Sequence, residues 1–82
     1  MYSLIKTINL SNFIVKLYQL KNEINLDSVE LENKILSLND NLLPKDIANA
    51  LHSVNGVSKI KIYDQNRKLL IDSLIDIEDN SL

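Results

Sequence analysis

The sequence predicts an α+β fold: two to three helices packed on a small antiparallel sheet that contains a β-hairpin over residues 57–72. Three observations carry this expectation. Residues 57 to 63 alternate, with Ile60 and Ile62 pointing one way and Lys59 and Lys61 the other, which is the period of a strand with one wet face. Residues 28–38 and 44–53 repeat apolar side chains at helical spacing behind helix-start signals. Between the second of these and the alternating run stands Asn55-Gly56, and Gly56 is the single glycine of the chain. Glycine accepts the left-handed conformation that ends a helix, so the chain can reverse there at once into a strand.

Taken in order, residues 2–9 fit either a short strand or a helix face, since Leu4, Ile5 and Ile8 suit both periods. Residues 11–24 are read as a helix capped by Ser11 or Asn12. Phe13, Leu17, Leu20 and Ile24 then form one stripe, widened by Ile14 and Tyr18, with Lys16 and Gln19 facing away. Residues 28–38 make the next helix, where Asp27 and Glu30 approximate a capping box and Leu31, Ile35 and Leu38 line the apolar face. Asn39-Asp40-Asn41 stops it. Pro44 opens the helix over 44–53, with Ile47, Ala50, Leu51 and Val54 inside. Asp64-Gln65-Asn66-Arg67 turns the hairpin, with Asn66 suited to positive φ, and the return strand follows from residue 68. Residues 73–78 fit either a longer strand or a helix start.

The stretch Asp46 to Ile62 runs from a helix through the Gly turn straight into a strand, so that Val57, Ile60 and Ile62 face back onto Ile47, Ala50, Leu51 and Val54. It resembles the second helix and following strand of ferredoxin-like small domains. That resemblance covers under a quarter of the chain and implies a packing unit rather than an activity. The cysteine pair of the metal-carrying members is missing, so the resemblance does not imply metal transport.

Composition bounds the function. With 82 residues the chain is expected to be a single small domain, 1–82, ending in an acidic tail at about 76–82. Apolar residues are 45% and charged residues 24% of the chain, as in a globular protein, and the core must be aliphatic because there is no Trp and one Phe. The chain has no Cys, which excludes disulfides, thiolate metal sites and a cysteine nucleophile. One Gly leaves no phosphate-cradling glycine loop. No apolar run reaches the ~20 residues of a membrane span or the ~7–15 of a secretory signal core, and a small secreted domain would normally carry disulfides, so the expected location is a reducing, cytoplasmic compartment. An acid-free start could mimic a transit peptide, but it has no Arg. Net charge is −2, and all eleven acids follow residue 22, behind Lys6, Lys16 and Lys21.

Candidate sites are weighed against plain structural roles. Asp27-Ser28-Val29-Glu30-Leu31 faintly resembles the attachment site of acyl carrier proteins, but an N-terminal cap explains Asp27 and Ser28 fully. His52 is the single His and its neighbour Ser53 does not face it on a helix, so no catalytic set is assembled; His52 reads as a surface or cap residue at a helix end, where its charge would suit the dipole. Asp72, Asp76, Glu78 and Asp79 lack the loop of a calcium site and read as a solvated tail. Ile47-Ala48, Gly56-Val57-Ser58-Lys59 and Tyr63 faintly resemble a helix-turn-helix regulator, against which stand the long gap from Ala50 to Gly56 and the acidic chain. Lys59, Lys61 and Tyr63 are the nearest approach to a stacking surface for single strands, which normally uses several aromatics.

The reading is therefore a non-enzymatic protein-interaction module (a subunit, adaptor or inhibitor) with no cofactor and no metal. A protein partner or a second copy is expected to engage Phe13, Lys16, Leu17, Tyr18 and Lys21 on the amphipathic segment and Lys59, Lys61 and Tyr63 on the strand. The alternative is a small nucleic-acid-binding regulator using a helix-turn-helix-like segment at 44–63, which the net charge disfavours.

Overall fold

The computed structural model describes residues 1–20, 25–39 and 41–73. They form strands β1 (Tyr2–Asn9) and β2 (Phe13–Leu20), helices α1 (Ser28–Ser37) and α2 (Pro44–His52), and strands β3 (Lys59–Asp64) and β4 (Leu69–Asp72). The architecture is α+β: a four-stranded sheet in the order β1-β2-β3-β4, every pair antiparallel, with the helices on one face. Lys21, Ile24, residues 74–78 and the acidic tail at 76–82 lie outside the described residues.

One expectation is overturned. The helix expected over 11–24 is absent from its described part, 11–20: Phe13 to Leu20 form β2, paired with β1 and β3 on its two sides. Phe13, Leu17 and Leu20 fit a helical stripe. Phe13, Val15 and Leu17 fit equally well one side of a strand, and it is this second set that faces the core. Both side-chain rows of β2 carry apolar residues, so the two periods compete. The β-branched pair Ile14-Val15 between Phe13 and Tyr18 is the local signal for a strand. Leu10 N–H bonds Phe13 C=O at 2.9 Å, so Ser11-Asn12 closes a β1–β2 hairpin instead of capping a helix.

Both helices begin as their sequences require. Asp27 Oδ1 accepts the Glu30 N–H at 3.0 Å, and Pro44 occupies the first turn of α2. Ile47, Ala48, Leu51, Val54, Val57, Ile60 and Ile62 share one core with Ile8, Val15, Leu17 and Leu31. The helix–turn–strand unit thus packs as expected, except that Ala48 is the buried alanine and Ala50 is only half-buried. The order β-β-α-α-β-β with sequential strand neighbours differs from the split β-α-β pattern of a ferredoxin-like domain.

Gly56 has φ +96°, and a β-carbon there would lie 2.6 Å from Leu26 Cα. The strap 25–27 passes directly over the turn and is tied to it by Asp27 N–H to Asn55 C=O, 3.0 Å. In the β3–β4 turn Asp64 Oδ1 accepts from Asn66 N–H and Lys68 N–H at 2.8 and 2.9 Å. The positive φ of that turn falls on Arg67 (φ 67°), one residue after the Asn66 that the sequence suggested. Two serine hydroxyls complete the ladders: Ser58 Oγ accepts from Leu20 N–H at 3.0 Å, and the buried Ser73 Oγ accepts from Ile60 N–H at 2.8 Å.

Candidate functional site: the open face of the sheet

With both helices on one side, the second face of the sheet is uncovered by any described element, and the register decides what stands on it. Across β2 and β3 the pairs Val15↔Ile62 and Leu17↔Ile60 point into the core, so Ile14↔Tyr63, Lys16↔Lys61 and Tyr18↔Lys59 point out. Across β1 the outward partners are Tyr2↔Leu20, Leu4↔Tyr18, Thr7↔Lys16 and Asn9↔Ile14. Across β4, Asp72 stands opposite Lys61 and Leu69 opposite Tyr63. All three tyrosines of the chain therefore share one surface with Lys16, Lys59 and Lys61.

The cations and rings are interleaved in contact. Lys16 Nζ lies 5.8 Å from the centroid of the Tyr63 ring, Lys59 Nζ 5.1 Å from that of Tyr2, and Lys61 Nζ 6.0 Å from that of Tyr18. The Tyr18 phenol is pushed above its ordinary range, first by burial and then by the neighbouring Tyr63; Lys61 pulls it the other way. Along the strands the Lys16–Lys61 pair stands between Tyr18 and Tyr63. That pair sets two like charges directly opposite each other on the central strands, which destabilises a sheet. Asp72 offsets part of this charge through Lys59, 3.9 Å away, while its second oxygen is buried with no hydrogen-bond partner among the described residues.

A groove of about 370 Å³ opens at one end of the surface, lined by Asn9, Ile14, Lys16, Tyr63 and Arg67. The strained Arg67 thus sits at its rim. Beneath it, Gln65 Nε2 donates to Leu10 C=O and Ser11 C=O at 3.0 and 3.1 Å, fixing the two hairpin turns together. Acids gather in the helical layer instead: Asp27 caps α1, Glu30 and Glu32 lie on α1, and Asp46 lies on α2. Lys6 belongs to that layer as well, paired with Glu32 at 3.3 Å.

Of the expected partner residues, Lys16, Tyr18, Lys59, Lys61 and Tyr63 come together on this face. Leu17 does not: it is 0% exposed and belongs to the core, and Phe13 packs against that core. Their assignment to a binding face followed from the helical reading of 11–24, and a strand sends them to the opposite side from Lys16 and Tyr18. Tyr2, Asn9 and Arg67 are the site residues that sequence reasoning missed. The segment 44–63 is helix, turn and strand: α2, the Gly56 turn and β3, with no second helix within it. His52 is half-buried at the end of α2, burial lowers its pKa, which works against the charged cap that the sequence suggested, and its Nε2 has no hydrogen-bond partner among the described residues.

Among the described residues no group of His, Asp and Glu converges as a metal site, and no helix is long and apolar enough to cross a membrane. Compared with protein-family models, curated proteins and solved structures, the chain matches none.

Proposed function

We propose that this chain is a non-enzymatic binding module that works by surface complementarity, with the open sheet face as its working surface and an anionic partner as its target. One observation carries the reading: three tyrosines and three lysines from β1, β2 and β3 interleave on the face of the sheet that no described element covers. Local rules argue against such a surface unless it has a use. Lys16 and Lys61 repel across the central strand pair, and Arg67 holds a backbone conformation that favours Gly or Asn. An anionic partner relieves the first and gives a reason for the second.

The sheet edges support docking on the face rather than strand addition. β1 carries Ile5 as an unpaired extra residue between Leu4 and Lys6, and β4 carries Leu70 between Leu69 and Ile71. Bulges of this kind blunt an edge against pairing with another strand.

The test is site-specific photo-crosslinking in a lysate of the native source. A crosslinking residue at Thr7, exposed on the open face, is compared with one at Asn33, exposed on α1. A discrete adduct is expected from Thr7 and none from Asn33. Adducts from Asn33 alone would move the working surface to the helices and refute the proposal.

A further inference from the structure

We infer that the partner of the open face is single-stranded nucleic acid, held by base stacking on Tyr2, Tyr18 and Tyr63 and by phosphate contacts to Lys16, Lys59, Lys61 and Arg67. This rests on the binding-module reading above and names the ligand class for the same surface.

Two classes of anionic macromolecule could meet such a face, an acidic protein or a nucleic acid, and its anatomy separates them. Protein interfaces are depleted in Lys, most of all at their centre, where charge is hardest to bury. Here the centre is the Lys16–Lys61 pair, and the aromatic rings flank it. Single-strand binders use the reverse layout: cations track the backbone while aromatic rings on a sheet receive successive bases. The rings come from three adjacent strands, so bases stacked on them would run across the sheet with the lysines between.

The groove adds a built subsite. Tyr63 supplies a ring, Asn9 an amide that can pair with a base edge, and Lys16 and Arg67 supply cations for the adjoining phosphate. A duplex keeps its bases stacked inside and offers no faces to these rings, so the surface selects single strands. The acidic net charge does not oppose this. On this face Asp72 is the one acid among the described strand residues, while Asp27, Glu30, Glu32 and Asp46 lie in the helical layer. Asp72 acts as a brake: it takes up Lys59 and lowers the field over the face.

The experiment is fluorescence anisotropy of the whole chain with a labelled single-stranded pyrimidine RNA and DNA of about a dozen nucleotides. A duplex of equal length and a polyglutamate peptide serve as the other probes. Single strands are expected to bind, with affinity falling against salt at a log–log slope of about −2 to −3 for three to four phosphate contacts. Lys61→Gln should make that slope shallower by about 0.7. Tyr63→Leu should weaken binding about 5- to 150-fold while Tyr63→Phe retains it, because stacking needs the ring and not the hydroxyl. Asp72→Asn should tighten binding and steepen the slope. Melting curves of each variant separate lost binding from lost fold.

Equal binding of duplex and single strand, or a Tyr63→Leu variant that binds like the parent, would overturn the stacking proposal. Binding of polyglutamate with no binding of single strands would overturn nucleic acid as the ligand and leave the anionic-partner reading standing. If none of the probes binds even at low salt and the Thr7 crosslinker gives no adduct, both fall.

Discussion

Replacing Gly56 with Ala tests the turn on which the second half of the molecule depends. Two costs are separable in the structure. At φ +96° an L-residue carries about 1–2 kcal/mol of backbone strain. Its β-carbon would also stand 2.6 Å from Leu26 Cα, 3.0 Å from Leu26 N and 3.1 Å from Asn25 O. These are backbone atoms, so the strap must move as a unit, at an overpacking cost of about 1–3 kcal/mol. Together the loss is about 2–5 kcal/mol, against a total stability of about 4–12 kcal/mol for a chain of this length. At about 4–8 °C per kcal/mol the melting temperature should fall by roughly 10–40 °C. The assay is thermal unfolding by circular dichroism of Gly56→Ala, Gly56→Asn and Gly56→Val. Asn tolerates positive φ, so if strain alone mattered Asn would cost clearly less than Ala. If the Leu26 clash dominates, the two cost alike and Val costs more. Hydrogen exchange at the Asp27 amide, bonded at 3.0 Å to Asn55 C=O, should accelerate in all three. A melting temperature within about 3 °C of the parent in Gly56→Ala would refute both the turn geometry and the close approach of the strap.

Three further outcomes are expected. Lys16→Glu should stabilise the fold by roughly 0.2–1 kcal/mol, read as a higher urea midpoint, because it turns the directly opposed Lys16–Lys61 pair into an attractive one while its other neighbour, Thr7, is uncharged; a lower midpoint would show that the two lysines do not repel. Leu17→Ala should cost about 2–5 kcal/mol in the same assay, because Leu17 is fully buried between the sheet and the helices, and a loss under about 1 kcal/mol would refute its place in the core. For His52, burial lowers the folded pKa below the unfolded value of about 6.5. The unfolded chain therefore takes up the proton first, and stability falls as pH drops from about 6.5 to the folded pKa and levels off below it. A pH series of unfolding midpoints should show this slope, and His52→Gln should remove it; an unchanged slope would assign it to other groups.

Much of the architecture was legible in the sequence because it is written in local interactions. Asp27 and Pro44 start their helices through groups one to three residues away. Gly56 is needed wherever this chain must adopt positive φ between a helix and a strand. Lys59 to Tyr63 alternates because a strand with one face buried must. What these residues determine unaided is an aliphatic α+β chain without cysteine, its two helices, the turn between α2 and β3 and the hairpin that follows. Tertiary structure decided the rest. Residues 13–20 satisfy both the helical and the strand period, and only pairing with β3 chooses between them, since a buried central strand needs hydrogen-bond partners on both sides. That choice inverts the site. As a helix the segment would offer Phe13 and Leu17 with Tyr18; as a strand it sinks them into the core and sets Lys16 and Tyr18 beside Lys61 and Tyr63. The aromatic-cationic surface is assembled from residues as far apart as Tyr2 and Tyr63, and its register, not any run of sequence, brings them together.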